Sequence, residues 1–190
     1  MNIENYKLEG ENLPILKYPD PVLSKVAGPV TEFTPDLENL VKNMLFTMYH
    51  APGIGLAAPQ VGASIRLFVL DVDYERETVT NASGEEEVRM SDFNPMVFIN
   101  PVITGTSGTT TFEEGCLSVP GVYEEVKRHK SVHVKYQNLK GETLEMEVDD
   151  MLAICIQHEN DHLDGIVFIE RLSNLKKQFY KKKLIKEKGR

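Results

Sequence analysis

The residues best placed to do chemistry are His158-Glu159-Asn160-Asp161-His162, an H-E-x-x-H pattern in a segment whose spacing predicts a helix from about 151 to 163. Residues four apart on a helix share a face, so two imidazoles can grip one metal ion while the adjacent glutamate reaches a water beside it. The plainer alternative is a polar helix face that happens to carry two histidines. A catalytic centre of this kind needs a third protein ligand and an open position. Cys116, Cys155, His50, His129, His133 and several carboxylates are the candidates. Cys155 shares the helical face but sits about 7.5 Å along the axis from the midpoint of the histidines, too far for a thiolate bond. It is expected to pack one turn behind the site. His129 and His133 fall on the polar face of a predicted strand, where a solvated histidine is the default, and His50 ends a helix, where the dipole alone accounts for it.

Cys116 stands apart. It lies in Glu113-Glu114-Gly115-Cys116-Leu117-Ser118-Val119-Pro120-Gly121, read as an irregular stretch from which backbone amides and a thiolate can point at one ligand. A buried structural cysteine is the competing reading of this segment. Gly53-Ile54-Gly55-Leu56-Ala57-Ala58 fits the dinucleotide pattern only superficially, because it follows a helix and meets Pro59 instead of linking a strand to a helix. Bare backbone at Gly53 and Gly55 is instead suited to pairing with a substrate chain, with the Gln60 amide close by.

These groups need a scaffold. Pro14, Pro19, Pro21 and Pro29 make an extended lead-in. Thr34-Pro35 then caps a helix over 37–50, with Leu37, Leu40, Val41, Met44, Leu45 and Met48 as its apolar stripe. Strands are predicted at 65–72 and 98–103, with Asn94-Pro95 and Asn100-Pro101 as turns around the second. Residues 74–92 are an acidic insert, a loop or hairpin extension. Residues 131–137 and 143–148 form a hairpin, and Asp149 or Asp150 caps the helix that follows. From 173 a helix with Leu172, Leu175 and Phe179 on one side and lysines elsewhere closes the chain.

The 190 residues, 41% hydrophobic and 26% charged, fit a single globular domain without staples. No apolar run approaches the roughly 20 residues of a membrane span. The N-terminus lacks the pattern of a secretion or organellar leader, so a cytoplasmic location is expected and two cysteines there favour thiols or ligands over a disulfide. The net charge of −8 is uneven: residues 176–190 hold eight basic residues and one acidic, leaving −15 on the remainder.

Taken together, Gly53-Ile54-Gly55-Leu56-Ala57-Ala58-Pro59-Gln60, Glu114-Gly115-Cys116-Leu117-Ser118 and Gln157-His158-Glu159-Asn160-Asp161-His162-Leu163 closely resemble the three signature motifs of the bacterial-type peptide deformylases, in the same order. The resemblance runs from about Leu13 to the helix after Leu172. It implies an α+β fold in which antiparallel β-sheets surround a central metal-binding helix, with N-terminal and C-terminal helices. It implies that Cys116, His158 and His162 hold one divalent metal, Fe2+ in many members with Zn2+ or Ni2+ able to replace it. Glu159 is then the acid–base, Gln60 and the Leu117 N–H stabilise the oxyanion, and Ile54, Ile154, Cys155 and His158 form the methionine pocket. Glu114 is expected to pair with Arg128, either as support for the metal loop or as a surface salt bridge. The implied substrates are N-formylmethionyl nascent peptides, handled by a monomer whose basic tail docks on the ribosome. Tyr123 stands where some members carry an arginine. Two rival readings are a general zinc metallopeptidase, which would more often complete its site downstream, and a metal-stabilised RNA-binding module, which would usually need four protein ligands.

Overall fold

The computed structural model describes residues 6–81 and 83–188. The first five residues, part of the segment read for a leader, lie outside them, as do Ala82 within the insert and the last two residues of the basic tail.

The first long element is α1, Pro35–His50, started as its sequence directs: the Thr34 side chain accepts from the Leu37 N–H and Pro35 occupies the first turn. A five-stranded antiparallel sheet follows, in the order β1 (Gly55–Ala57), β2 (Leu67–Leu70), β5 (Met96–Ser107), β8 (Ser131–Gln137) and β9 (Thr143–Asp149). Two hairpins stand apart from it: β3 (Glu75–Thr80) with β4 (Glu86–Ser91), and β6 (Thr110–Cys116) with β7 (Val119–Arg128). The H-E-x-x-H motif lies on α2, Asp150–Leu163, and α3, Asn174–Lys188, closes the described chain.

Both faces of the sheet are covered, which explains why β2 reads as an unbroken apolar run. Leu67 and Val69 point toward α1 with Leu56, Val97 and Ile99, while Phe68 and Leu70 point toward α2 with Phe98, Val134 and Ile156. On its other side α2 meets the β6–β7 hairpin, whose Val119, Val122 and Val126 join Phe168, Leu172 and Leu184 in a third cluster. The helix is thereby held between the sheet and a hairpin, and its histidine face cannot rotate without opening a core.

Four local expectations are corrected. Asn100-Pro101 is no turn but a bulge within the long strand β5, where Asn100 takes φ 50 and the register shifts. Its side chain accepts from Val30 N–H and donates to the Val30 carbonyl, both at 2.8 Å, which the sequence pattern cannot anticipate. The stretch around Cys116 is not irregular: it is paired strand up to Cys116, with a register shift between Gly115 and Cys116. Asp149 occupies the N-cap position of α2 but its side chain makes no capping hydrogen bond. On α3 the anchoring side chains are Tyr180 and Leu184, whereas Leu175 and Phe179 are exposed.

Candidate metal centre

Three chain segments meet at one end of the sheet. The α2 helix contributes His158 and His162, β6 ends on Cys116, and the short 3-10 turn Ala58–Val61 contributes Gln60. The ligand atoms of Cys116, His158 and His162 all lie within 4.8 Å of one another, the one such group of three among the described residues. Cys116 Sγ is 3.3 Å from His162 Nε2. A metal bound to a thiolate and two imidazoles requires donor atoms about 3.5 Å apart, so the set fits with small adjustments. Glu159 Oε2 is buried without a hydrogen-bond partner among the described residues, an orphaned polar atom of the kind a water beside the site would satisfy.

Electrostatics separates the two histidines. Burial, together with the charges of His158 and Arg128, pushes His162 well below its ordinary pKa, leaving a neutral imidazole ready to ligate. At His158 burial pulls the same way but is outweighed by the hydrogen bonds of Cys116 and Glu114, and the pKa rises. Glu159 is pushed up to about 7, chiefly by burial, a value suited to taking and returning a proton near neutrality.

Behind the ligands lies a chain of charges that the H-E-x-x-H pattern does not announce. Glu114 accepts from Arg128 Nε at 2.7 Å and Arg128 Nη2 at 2.9 Å, and its Oε2 lies 2.8 Å from His158 Nδ1. Arg128 continues through Nη1 to Asp161 at 2.6 Å, and Asp161 also accepts from Arg171 Nε at 3.0 Å. Both side chains of the Glu114–Arg128 pair are 4% exposed, which rules out the surface salt bridge. Although burial raises the Glu114 carboxyl, the Arg128 and His158 hydrogen bonds hold it at about 2. An ionised carboxylate facing His158 Nδ1 directs the other ring nitrogen toward the Cys116 side. The aspartate of the motif was visible in the sequence, but its two arginine partners come from distant strands and turns.

An open cavity of about 540 Å³ leads to these groups, lined by Gly53, Ile54, Gly55, Gln60, Leu117, Ile154, Cys155 and Glu159 among others. Cys155 is absent from the ligand triad. Burial pushes its thiol well above the ordinary pKa, and it points to the Ile54 carbonyl at 3.7 Å. The two glycines play different parts. Gly53 already donates to the Met48 carbonyl and accepts from the Tyr74 hydroxyl, so its backbone is committed, contrary to the expectation that it offers bare backbone. Gly55 pairs with Leu70, and because Asp71 N–H donates to the Ile54 carbonyl this is a non-hydrogen-bonded pair. The N–H and carbonyl of Gly55 therefore point outward from the edge strand. A Cβ there would lie 2.8 Å from Glu159 Cδ and 3.0 Å from Cys155 Sγ, so only glycine allows this approach. The Gln60 amide is fixed by accepting from Ala57 N–H at 2.8 Å, which turns its nitrogen toward Ser118 Oγ at 3.1 Å and Cys116 Sγ at 3.5 Å.

A thiolate and two imidazoles with a buried glutamate beside an open cleft define a mononuclear metallohydrolase. The polypeptide deformylase family model matches residues 12–178. A peptide deformylase of Chromobacterium violaceum is 48% identical over 174 residues, covering 92% of this chain and 95% of that protein. The crystal structure of a peptide deformylase from Legionella pneumophila superposes with a TM-score of 0.78 at 41% identity, covering 93% of this chain and 95% of that one. A Met-Ala-Ser-bound class I type b peptide deformylase from Acinetobacter baumannii superposes at 0.73 with 34% identity, covering 86% and 100%. The chain belongs to the polypeptide deformylase family, a family of metalloenzymes, and is an enzyme with peptide deformylase activity. The metallopeptidase and RNA-module readings give way to it. Among the described residues no helix is long and apolar enough to cross a membrane.

Proposed function

We propose that this enzyme hydrolyses the formamide of N-terminal formyl-methionine on newly made polypeptides, releasing formate and a free amine. The observation that carries the reading is the meeting of Cys116, His158, His162 and Glu159 at the end of an apolar cleft bordered by an unpaired strand edge. Cys116, His158 and His162 would hold one divalent ion, Fe2+ as the native one, with Zn2+ or Ni2+ able to take its place. When bound, the ion supplies Lewis-acid polarisation of the formyl oxygen and lowers the pKa of the hydrolytic water.

The chain's own residues do the rest. Glu159 accepts the proton of the attacking water and delivers it to the departing amine, a shuttle that its burial favours. The Gln60 amide nitrogen and the Leu117 N–H donate to the oxygen on which negative charge develops. Ile54, Ile154 and Cys155 form an apolar slot for the unbranched methionine side chain. The outward N–H and carbonyl of Gly55 pair with the peptide as an added strand, and Gly53, its backbone engaged elsewhere, lines the wall. The Acinetobacter relative's complex with Met-Ala-Ser supports a deformylated peptide as product.

The enzyme acts as a single-domain monomer in the cytoplasm, and α3 docks it on the ribosome. Exposed Leu175, Phe179 and Ile185 interleaved with lysines support a surface that meets acidic RNA and protein together. Truncation after Ser173 would abolish ribosome co-sedimentation, and unchanged salt-sensitive binding would refute that docking. The central test is formate release from formyl-Met-Ala-Ser by anaerobically purified protein. Release lost in Glu159→Ala supports the reading, and its absence from metal-replete protein refutes it.

A further inference from the structure

The proline-rich lead-in, which the sequence marks only as extended, is bonded to two of the loops that build the site. Leu16 N–H donates to the Gln60 carbonyl at 2.8 Å and Tyr18 N–H to the Ser118 carbonyl at 2.9 Å. Between them the Lys17 side chain enters the wall of the cavity, and its ammonium donates to the Leu117 carbonyl. That carbonyl and the Ser118 N–H are opposite ends of one planar, conjugated peptide group. The Ser118 N–H in turn donates to Cys116 Sγ at 3.4 Å. A cation on the oxygen of an amide withdraws electron density and makes its N–H a stronger donor, the cooperative effect of linked hydrogen bonds.

The charge of Lys17 has no carboxylate partner among the described residues. Burial lowers its pKa, and the charge of nearby Cys116 opposes that shift. The Cys116 sulfur already receives the Gln60 amide. Two N–H donors and a nearby cation draw electron density from that sulfur.

We propose that Lys17 is a positioning residue of the metal centre, which acts through the Leu117–Ser118 peptide to strengthen the hydrogen bond on Cys116 Sγ and to hold that sulfur in its ligating place. The inference rests on the reading of Cys116 as a ligand. It assigns a role to a segment that contributes no ligand and no acid–base group.

The test uses the full chain loaded with Co2+, reading the thiolate-to-cobalt charge-transfer band and the Co2+ dissociation constant by competition with a chromophoric chelator. Lys17→Met is expected to weaken Co2+ binding about tenfold, as loss of a supporting hydrogen bond typically does, and to move the band to lower energy as density returns to the sulfur. Lys17→Arg, which keeps the charge and the donor, restores both. Thermal unfolding of the chelated variants separates folding from the centre, and Lys17→Gln, a donor without charge, replaces Lys17→Met if that variant does not fold. Band and affinity within about twofold of the parent in the neutral variant, with the band abolished in Cys116→Ser, would overturn the role of Lys17 and leave the ligand reading intact. Band and affinity retained in Cys116→Ser would overturn both.

Discussion

The two hairpins are built alike and used differently. Each is a two-stranded antiparallel ribbon outside the main sheet, and each carries several glutamates. Along β3–β4 no glutamate is buried, and the ion pair between Arg89 and the half-buried Glu87 is open to solvent. The ribbon touches the body at its root, where Tyr74 reaches Gly53 and Arg76 Nη1 reaches the Tyr49 carbonyl at 3.0 Å. Along β6–β7 the glutamate at position 114 is buried against Arg128 and His158, and the strand delivers Cys116 to the α2 helix. A charge in water is interchangeable, whereas a charge in the interior must have its partner at a set distance. Burial therefore turns one hairpin into part of the candidate metal centre and leaves the other as a surface extension.

The sharpest way to break this contrast is Arg128→Ala, which strands Glu114 and Asp161 without their shared cation. Breaking a buried pair of this kind should destabilise the fold by about 3–5 kcal/mol in urea unfolding, and the variant should retain metal poorly. Next in size is removal of the metal. If Cys116, His158 and His162 hold it, chelation should lower stability by about 2.7 kcal/mol relative to protein with ion at a hundred times its dissociation constant. Hydrogen exchange should then rise in β6–β7 and stay unchanged in β3–β4. Gly55→Ala should lower kcat/KM by about tenfold or more, because the added Cβ displaces Glu159, with an unfolding free energy within about 1.5 kcal/mol of the parent. The smallest effect belongs to the exposed ribbon: Glu87→Ala with Arg89→Ala should change stability by less than about 0.5 kcal/mol and leave formate release within about twofold.

Legibility in the sequence followed the range of the interactions involved. The Thr34-Pro35 start and apolar stripe of α1 were readable because a cap and a helical face involve residues within one or two turns. The same holds for the β8–β9 hairpin, whose alternation and turn lie within twenty residues. The bulge at Asn100 was not, since its side chain answers a backbone seventy residues away. Nor was the anchoring side of α3, where Leu184 is buried and Leu175 exposed although both carry the same side chain.

By itself the sequence determined that His158 and His162 share a face with Glu159 between them, because helical periodicity is a local property of the backbone. It also supplied Cys116 as the odd donor, in an order of motifs that named the family. The pairing of Glu114 with Arg128 was already expected, but only the tertiary structure decided that the pair is buried and extends through Asp161 to the exposed Arg171. It alone decided that Gly55 rather than Gly53 presents free backbone, and that Lys17 meets the metal loop. Each of these depends on strand pairing and on the exclusion of water, which arise only when segments far apart in the chain pack together.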